Sequence, residues 1–170
     1  MPDVLQIDPT HFRRVFGNLP TGVTVITAHS DEGPTGMAAN SVTSVSLDPP
    51  LVLFCPAKTS STWPKIRETG SFCVNVMAGH HQELTSRFAA RDAARFAGVA
   101  YEHRPTGPAL AEAMAWIECR IEDERDAGDH TIVVARVVGI EAPSEADEPL
   151  VFFRGAYGSF RSASARSEAQ

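Results

Sequence analysis

Basic residues are in short supply in this chain: 15 lysines and arginines stand against 21 aspartates and glutamates, for a net charge of −6. No lysine- or arginine-rich block offsets that balance. A nucleic-acid surface is therefore not expected, and the acidic surface mainly favours solubility. Long apolar runs are missing as well; none approaches the roughly 18 residues of a membrane helix. Met1 to Asp8 has neither a basic start nor an apolar stretch, so no secretory signal is expected. Cysteine is scarce. Cys55, Cys73 and Cys119 lie far apart, form no CxxC pair and have no metal-ligand neighbour at short spacing. They read as small buried hydrophobes in strand-like runs, which suits a reducing cytoplasm. GxGxxG and GxxxxGK are absent too, so neither a Rossmann dinucleotide site nor a phosphate-loop NTPase is expected; HExxH and GxSxG are also missing.

What is present fits one domain. A length of 170 residues with 43% hydrophobic content can bury a sizeable single core. The domain is expected over residues 1–161, with a small, polar, disordered tail at 162–170. Asp8 caps a first helix, Pro9 suits its first position, and Phe12, Val15, Phe16 and Leu19 form its apolar stripe. Strands are expected at 22–28, twice within 35–47 with a bend between, and at 51–55, 72–77, 115–122, 130–140 and 150–153. Pro64 opens a short helix that Gly70 closes, and 80–90 has helical spacing. The stretch 91–108 reads as loop. About seven strands that do not alternate with helices as βαβ units predict a mainly β antiparallel barrel with a few short helices.

Five segments can carry chemistry, and each also has an ordinary structural reading. In Gly36-Met37-Ala38-Ala39-Asn40-Ser41, small side chains either let a flat ligand approach the backbone or simply pack a strand pair. Lys58-Thr59-Ser60-Ser61-Thr62 enters a helix at about Trp63, so it either binds phosphate or only caps the helix. Arg87, beside Phe88, can grip a phosphate bidentately or lie solvated. His130, just after the Gly128-Asp129 turn, can face a cleft or the solvent. Phe152, Phe153, Arg154 and Tyr157 can cover a planar ligand or close the core. His80 and His81 suggest a metal at first sight, but neighbours on a helix face different sides, so no metal is expected.

Taken in order, FRRVFGNLPTGVTVIT, GMAANSVTSVSLDPPLVLFCPAKTSSTW, FCVNVM, SRFA, RFAGV, AWIECRI, DAGDHTIVVARV and FFRGAY resemble the flavin reductase family, over about Phe12 to Tyr157. The similarity is greatest to the reductase components of two-component flavin-dependent monooxygenases. The resemblance implies a split β-barrel, antiparallel and Greek-key, that binds FMN or FAD as a homodimer with flavin near the subunit interface. It implies reduction of that flavin by NADH or NADPH, and delivery of reduced flavin to a separate oxygenase. It places Met37, Ala38, Ala39, Asn40 and Ser41 along the flavin ring and ribityl chain, with Ser46 nearby. Cys55, Pro56, Ala57 and Lys58 through Thr62 would wrap the ribityl–phosphate part, with Lys58, Ser60, Ser61 and Thr62 at the phosphate. Arg87 and Phe88 would continue that site, His130 would place the nicotinamide, and Tyr157 would lie in the closing aromatic segment. Ala39 stands where relatives often carry threonine or cysteine. A flavin-binding carrier or sensor without reductase activity, and a pyridoxamine-phosphate-type oxidase on the same barrel, are the competing readings; the GDH motif and the DPPLVLFCPAK segment speak against the oxidase.

Overall fold

The computed structural model describes residues 7–91, 94–143 and 148–163. Helix α1 (Pro9–Phe16) begins as its capping signal requires: Asp8 accepts a hydrogen bond from the His11 N–H at 2.9 Å, and Gly17 follows the last turn. Its apolar stripe stays open to solvent among the described residues; Phe12, Val15, Phe16 and Leu19 are all exposed.

The remaining elements are β1 (Thr21–Gly22), β2 (Thr24–Ser30), β3 (Gly33–Ala39), β4 (Thr43–Leu47), β5 (Pro50–Phe54), α2 (Trp63–Thr69), β6 (Ser71–Val76), a 3-10 turn (Gly79–His81), α3 (Gln82–Ala89), β7 (Tyr101–Arg104), β8 (Gly107–Leu110), β9 (Ala115–Ala127), β10 (His130–Glu141), β11 (Leu150–Phe153) and β12 (Ala156–Ser159). Seven strands pair antiparallel in the order β3-β2-β6-β9-β10-β5-β4. The two edge strands, β3 and β4, are joined by residues 40–42 alone. So short a connection spans at most about 14 Å, so the two edges of the sheet must come close together. The sheet is therefore rolled, and the gap between its edges is the split of the barrel. Pro34 sits in edge strand β3, where a missing N–H can be tolerated.

Ile26, Phe54, Phe72, Val74, Cys119 and Val133 fill the barrel, and α2 closes one side with Trp63 and Ile66. The Phe54 ring meets Trp63 and Phe72 edge-on at 5.3 and 5.2 Å. A second cluster, with Val25, Met77, Phe88, Leu110 and Leu150, lies on the other face of β2. Both faces of β2 are covered, so residues 24–28 are buried without a break rather than in alternation. Fully buried Asn75 ties the layers together: its amide donates to Val25 O and Thr27 Oγ1 at 3.0 Å each, and its oxygen accepts the Leu110 N–H at 2.7 Å.

Two stretches differ from the sequence expectation. Residues 91–108, expected as loop, contain β7 and the start of β8, a hairpin whose alternation is hidden by Pro105, Gly107 and Pro108. The chain also continues past β11 through a tight turn at Arg154-Gly155 into β12. From residue 164 onward, the expected disordered tail lies outside the described residues. Two of the three cysteines behave as expected: Cys73 and Cys119 are buried, and burial pushes both thiols up to about 12, whereas Cys55 is only half-buried. Among the described residues, no helix is long and apolar enough to cross a membrane.

Candidate functional site

Three segments that are distant in sequence meet at the split. The first is the end of β3 with residues 40–42. As an edge strand, β3 has β2 on one side and keeps alternate backbone groups outside any ladder. Ala38, Ala39 and Asn40 line a small cavity of about 180 Å³, closed by Ala89, Phe152 and Tyr157. The Tyr157 ring meets Phe152 edge-on at 5.5 Å, which fixes the wall. Gly36 is required where β3 runs closest to its neighbours, since a Cβ there would lie 3.0 Å from both Ile26 O and Phe88 Cε1.

The second segment is the loop after β5. Its Cys55 N–H donates to Ser41 Oγ at 2.9 Å, and Ser60 Oγ lies 3.9 Å from Met37 Sδ. Ser60 Oγ also accepts from the N–H groups of Thr62 and Trp63, at 3.3 and 3.0 Å. Two N–H groups at the start of α2 are therefore capped by the protein itself, the ordinary one of the two readings the segment offers. The cation beside this loop is Arg95. Its Nη1 donates to Gly36 O and to Thr62 Oγ1, both at 2.6 Å, and its Nε donates to Ala90 O at 3.0 Å. These partners are neutral, so a half-buried guanidinium stands next to Ser61 and Thr62 with no ion-pair partner among the described residues. Burial pulls its pKa below the ordinary arginine value.

The third segment is the turn between β9 and β10. Ala57 and His130 form an antiparallel bridge, Lys58 N–H donates to Asp129 O at 2.9 Å, and Thr131 N–H donates to Pro56 O at 3.0 Å. The turn is thereby clamped onto the loop. His130 Nδ1 lies 2.7 Å from Asp129 Oδ1, and this hydrogen bond holds the Asp129 carboxyl below its ordinary range. A carboxylate only accepts, so Nδ1 carries the proton, and in the neutral ring Nε2 offers a lone pair.

A strand edge lined with small residues, a hydroxyl-rich loop beside Arg95 and the turn that carries an oriented imidazole are bonded to one another at the split of the rolled sheet. The sequence profile of the flavin reductase like domain family matches residues 16–161. The chain belongs to the flavin reductase family. It is 45% identical over 156 residues to a flavin reductase of Pseudomonas putida, covering 91% of each chain. It is 45% identical over 152 residues to the reductase subunit of a flavin-dependent monooxygenase of Rhodococcus jostii, covering 89% of this chain and 77% of that one. Among solved structures, an NADH:FAD oxidoreductase of Streptomyces globisporus in complex with NAD and FAD fragments superposes with a TM-score of 0.85 at 34% identity, covering 96% of both chains. The split barrel is thus the fold of a flavin reductase.

Within that fold, Met37, Ala38, Ala39, Asn40, Ser41, Cys55, Pro56, Ala57, Ser60, Ser61, Thr62, His130 and Tyr157 gather around the split, as the contacts above describe. Other expected residues sit differently. Lys58 turns its ammonium to Asp126, 3.3 Å away, rather than towards Ser61 and Thr62. Arg87 is exposed and donates to Ala97 O at 2.8 Å. Phe88 is buried behind Gly36, edge-on to Phe96 at 5.0 Å, where it supports the strand from behind. Ser46 is half-buried on β4, opposite Leu51. Two contributors were not singled out from sequence. Arg95 lies in the string RFAGV and Asp129 in DAGDH, both part of the resemblance, but nothing local marked them as contacts.

The helical placement expected for His80 and His81 is corrected by the structure. They lie on a 3-10 turn rather than a regular helix, with ring centroids 4.0 Å apart, and Glu112 joins them to give three potential ligand atoms. The hydrogen bond that orients His81 runs the wrong way for a metal ligand, however. His81 Nδ1 accepts the Ala78 N–H at 3.2 Å, which leaves the neutral ring's proton on Nε2, facing Glu112 Oε2 at 4.0 Å. Metal-binding imidazoles instead donate from their second nitrogen.

Proposed function

We propose that this protein is an NADH-dependent flavin reductase that reduces FMN or FAD at the β3 split and supplies the reduced flavin to a separate oxygenase component. The observation that carries this reading is the clamping of the β9–β10 turn onto the 55–62 loop, which in turn is bonded to the 37–41 strand. The residues fit the flavin. Ala38 and Ala39 leave the backbone accessible to a flat ring, Asn40 and Ser41 supply polar groups, and Arg95 with Ser61 and Thr62 supplies charge and hydroxyls for a phosphate. A bound flavin supplies the hydride acceptor, and dihydronicotinamide supplies the hydride. The protein's task is positional. Tyr157 and Phe152 close one side against water, and His130 Nε2, with its tautomer set by Asp129, can accept a hydrogen bond from the nicotinamide carboxamide. Hydride transfer between two cofactors needs no acid–base triad.

The oxygenase partner is supported by the monooxygenase reductase subunit among the relatives. A homodimer accounts for the exposed apolar surface, including the α1 stripe, Leu47 at 95% and Ile140 at 78% exposure. Sedimentation is expected to give twice the mass of one chain, and the Leu47→Asp, Ile140→Asp double variant is expected to shift it towards the monomer. A monomeric wild type would exclude the dimer. The acidic net charge gives no support for nucleic-acid binding, and three free cysteines suit the cytoplasm.

Anaerobic stopped-flow mixing tests the activity. NADH oxidation is expected only with flavin present. Tight flavin binding with no turnover would convert the reading to a carrier. His130→Ala should raise the NADH KM about tenfold, the worth of one good hydrogen bond, and leave the flavin Kd in place. Equal shifts in both constants would remove His130 from the nicotinamide site.

A further inference from the structure

β3 has a direction, and the site uses only part of it. The small residues at 38–40 lie at its C-terminal end, and Gly36, with Arg95 bonded to its carbonyl, lies about 10 Å back along the strand. A flavin whose ring rests at 38–40 and whose phosphate reaches Arg95, Ser61 and Thr62 therefore points towards the N-terminal end of β3. There the structure has a further cavity of about 350 Å³, which shares Gly36, Ser61, Thr62 and Arg95 with the phosphate position and continues past Thr35 to Ser30. Its size is that of an ordinary small-molecule site. FMN ends at its single phosphate and would leave this space unused.

The cavity is built for what FAD adds. Arg91 lines it and makes no ion pair among the described residues. Lys65 also lines it, and its pairing with Glu32 neutralises the one carboxylate among the described lining residues. The net charge facing the space is thus positive, from Arg91 and Arg95. Ser30 and Thr35 offer hydroxyls, and half-buried Phe96 is the aromatic surface in the lining. Resting on the reading of the split as a flavin site, we propose that this cavity receives the second phosphate and adenosine of FAD, with Arg91 on the phosphate, so that the protein selects FAD over FMN.

Calorimetric titration of the full-length protein with FAD, FMN and NAD+ tests this without turnover. FAD is expected to bind about tenfold or more tighter than FMN, the worth of one added charge-assisted contact. Arg91→Ala should weaken FAD and spare FMN, and Thr35→Phe, which narrows the space, should do the same. Equal affinity for the two flavins in the wild type overturns the FAD selection while leaving the flavin site intact. An equal loss of both flavins in Arg91→Ala also overturns it, since Arg91 would then serve the phosphate they share. Loss of NAD+ binding in Arg91→Ala, with the FAD-to-FMN ratio unchanged, assigns the cavity to the nicotinamide nucleotide and overturns it as well. No binding of either flavin would instead refute the flavin site itself.

Discussion

Gly107→Ala is expected to lower the melting temperature by roughly 6–12 °C. An added Cβ would sit 2.3 Å from Thr27 O, 2.8 Å from Thr27 C and 3.0 Å from Ala28 Cα. All three are backbone atoms of β2, the strand with both faces covered, so no side-chain rotation relieves the contact. The β7–β8 hairpin would have to lift off. Thr27 Oγ1 donates to Pro108 O at 2.6 Å and Asn75 accepts the Leu110 N–H, so lifting would also strip buried polar groups of partners. The overpacking and the lost hydrogen bonds together should cost about 3 kcal/mol or more. For a chain of this size that is a fall in Tm of roughly 6–12 °C. Thermal unfolding followed by circular dichroism checks it; a Tm within 2 °C of wild type, a shift of roughly 1 kcal/mol or less, would mean that the hairpin is not held against β2.

The second large effect is on flavin affinity. Arg95→Met should weaken binding of FMN and FAD alike by about 10- to 100-fold, the range for charge-assisted hydrogen bonds to a phosphate. The substitution keeps the aliphatic stem but removes every N–H. It also releases Gly36 O, Thr62 Oγ1 and Ala90 O, all of which Arg95 now holds. Arg95→Lys, which keeps the charge and loses the fork, should fall between. Fluorescence titration at two salt concentrations separates the charge from the fork, because only the charge contribution is screened. If Arg95→Met binds both flavins as tightly as the wild type, the phosphate lies elsewhere, with Lys58 the next residue to test.

The same two sites show how far the sequence could be read. Gly107 sits in a stretch that reads as loop because prolines on either side break the alternation; its strand state comes from β2 and Asn75, which are distant in sequence. Arg95 is one arginine among several, and only folding brings it to Gly36 and Thr62. The 37–41 and 58–62 segments, by contrast, announce themselves through clusters of small and hydroxyl residues. Lys58 was equally legible but is held by Asp126, because the long β9–β10 hairpin extends to meet it. For His80 and His81 only the assumed helical placement differs: the pair lies on a 3-10 turn with its rings 4.0 Å apart, and the Ala78 hydrogen bond to His81 makes it a poor metal site.

Local chemistry is written along the chain. The Asp8 cap, the proline and glycine boundaries, the strand runs and the ordered motifs depend on neighbouring residues, and they were enough to indicate a mainly β barrel and flavin reductase chemistry. Which cation meets the phosphate, which face of α1 stays bare and whether a cavity continues beyond Gly36 depend on how the sheet rolls. That closure brings β3, the loop after β5 and the β9–β10 turn together from positions up to about 90 residues apart, and no local pattern encodes such long-range contacts.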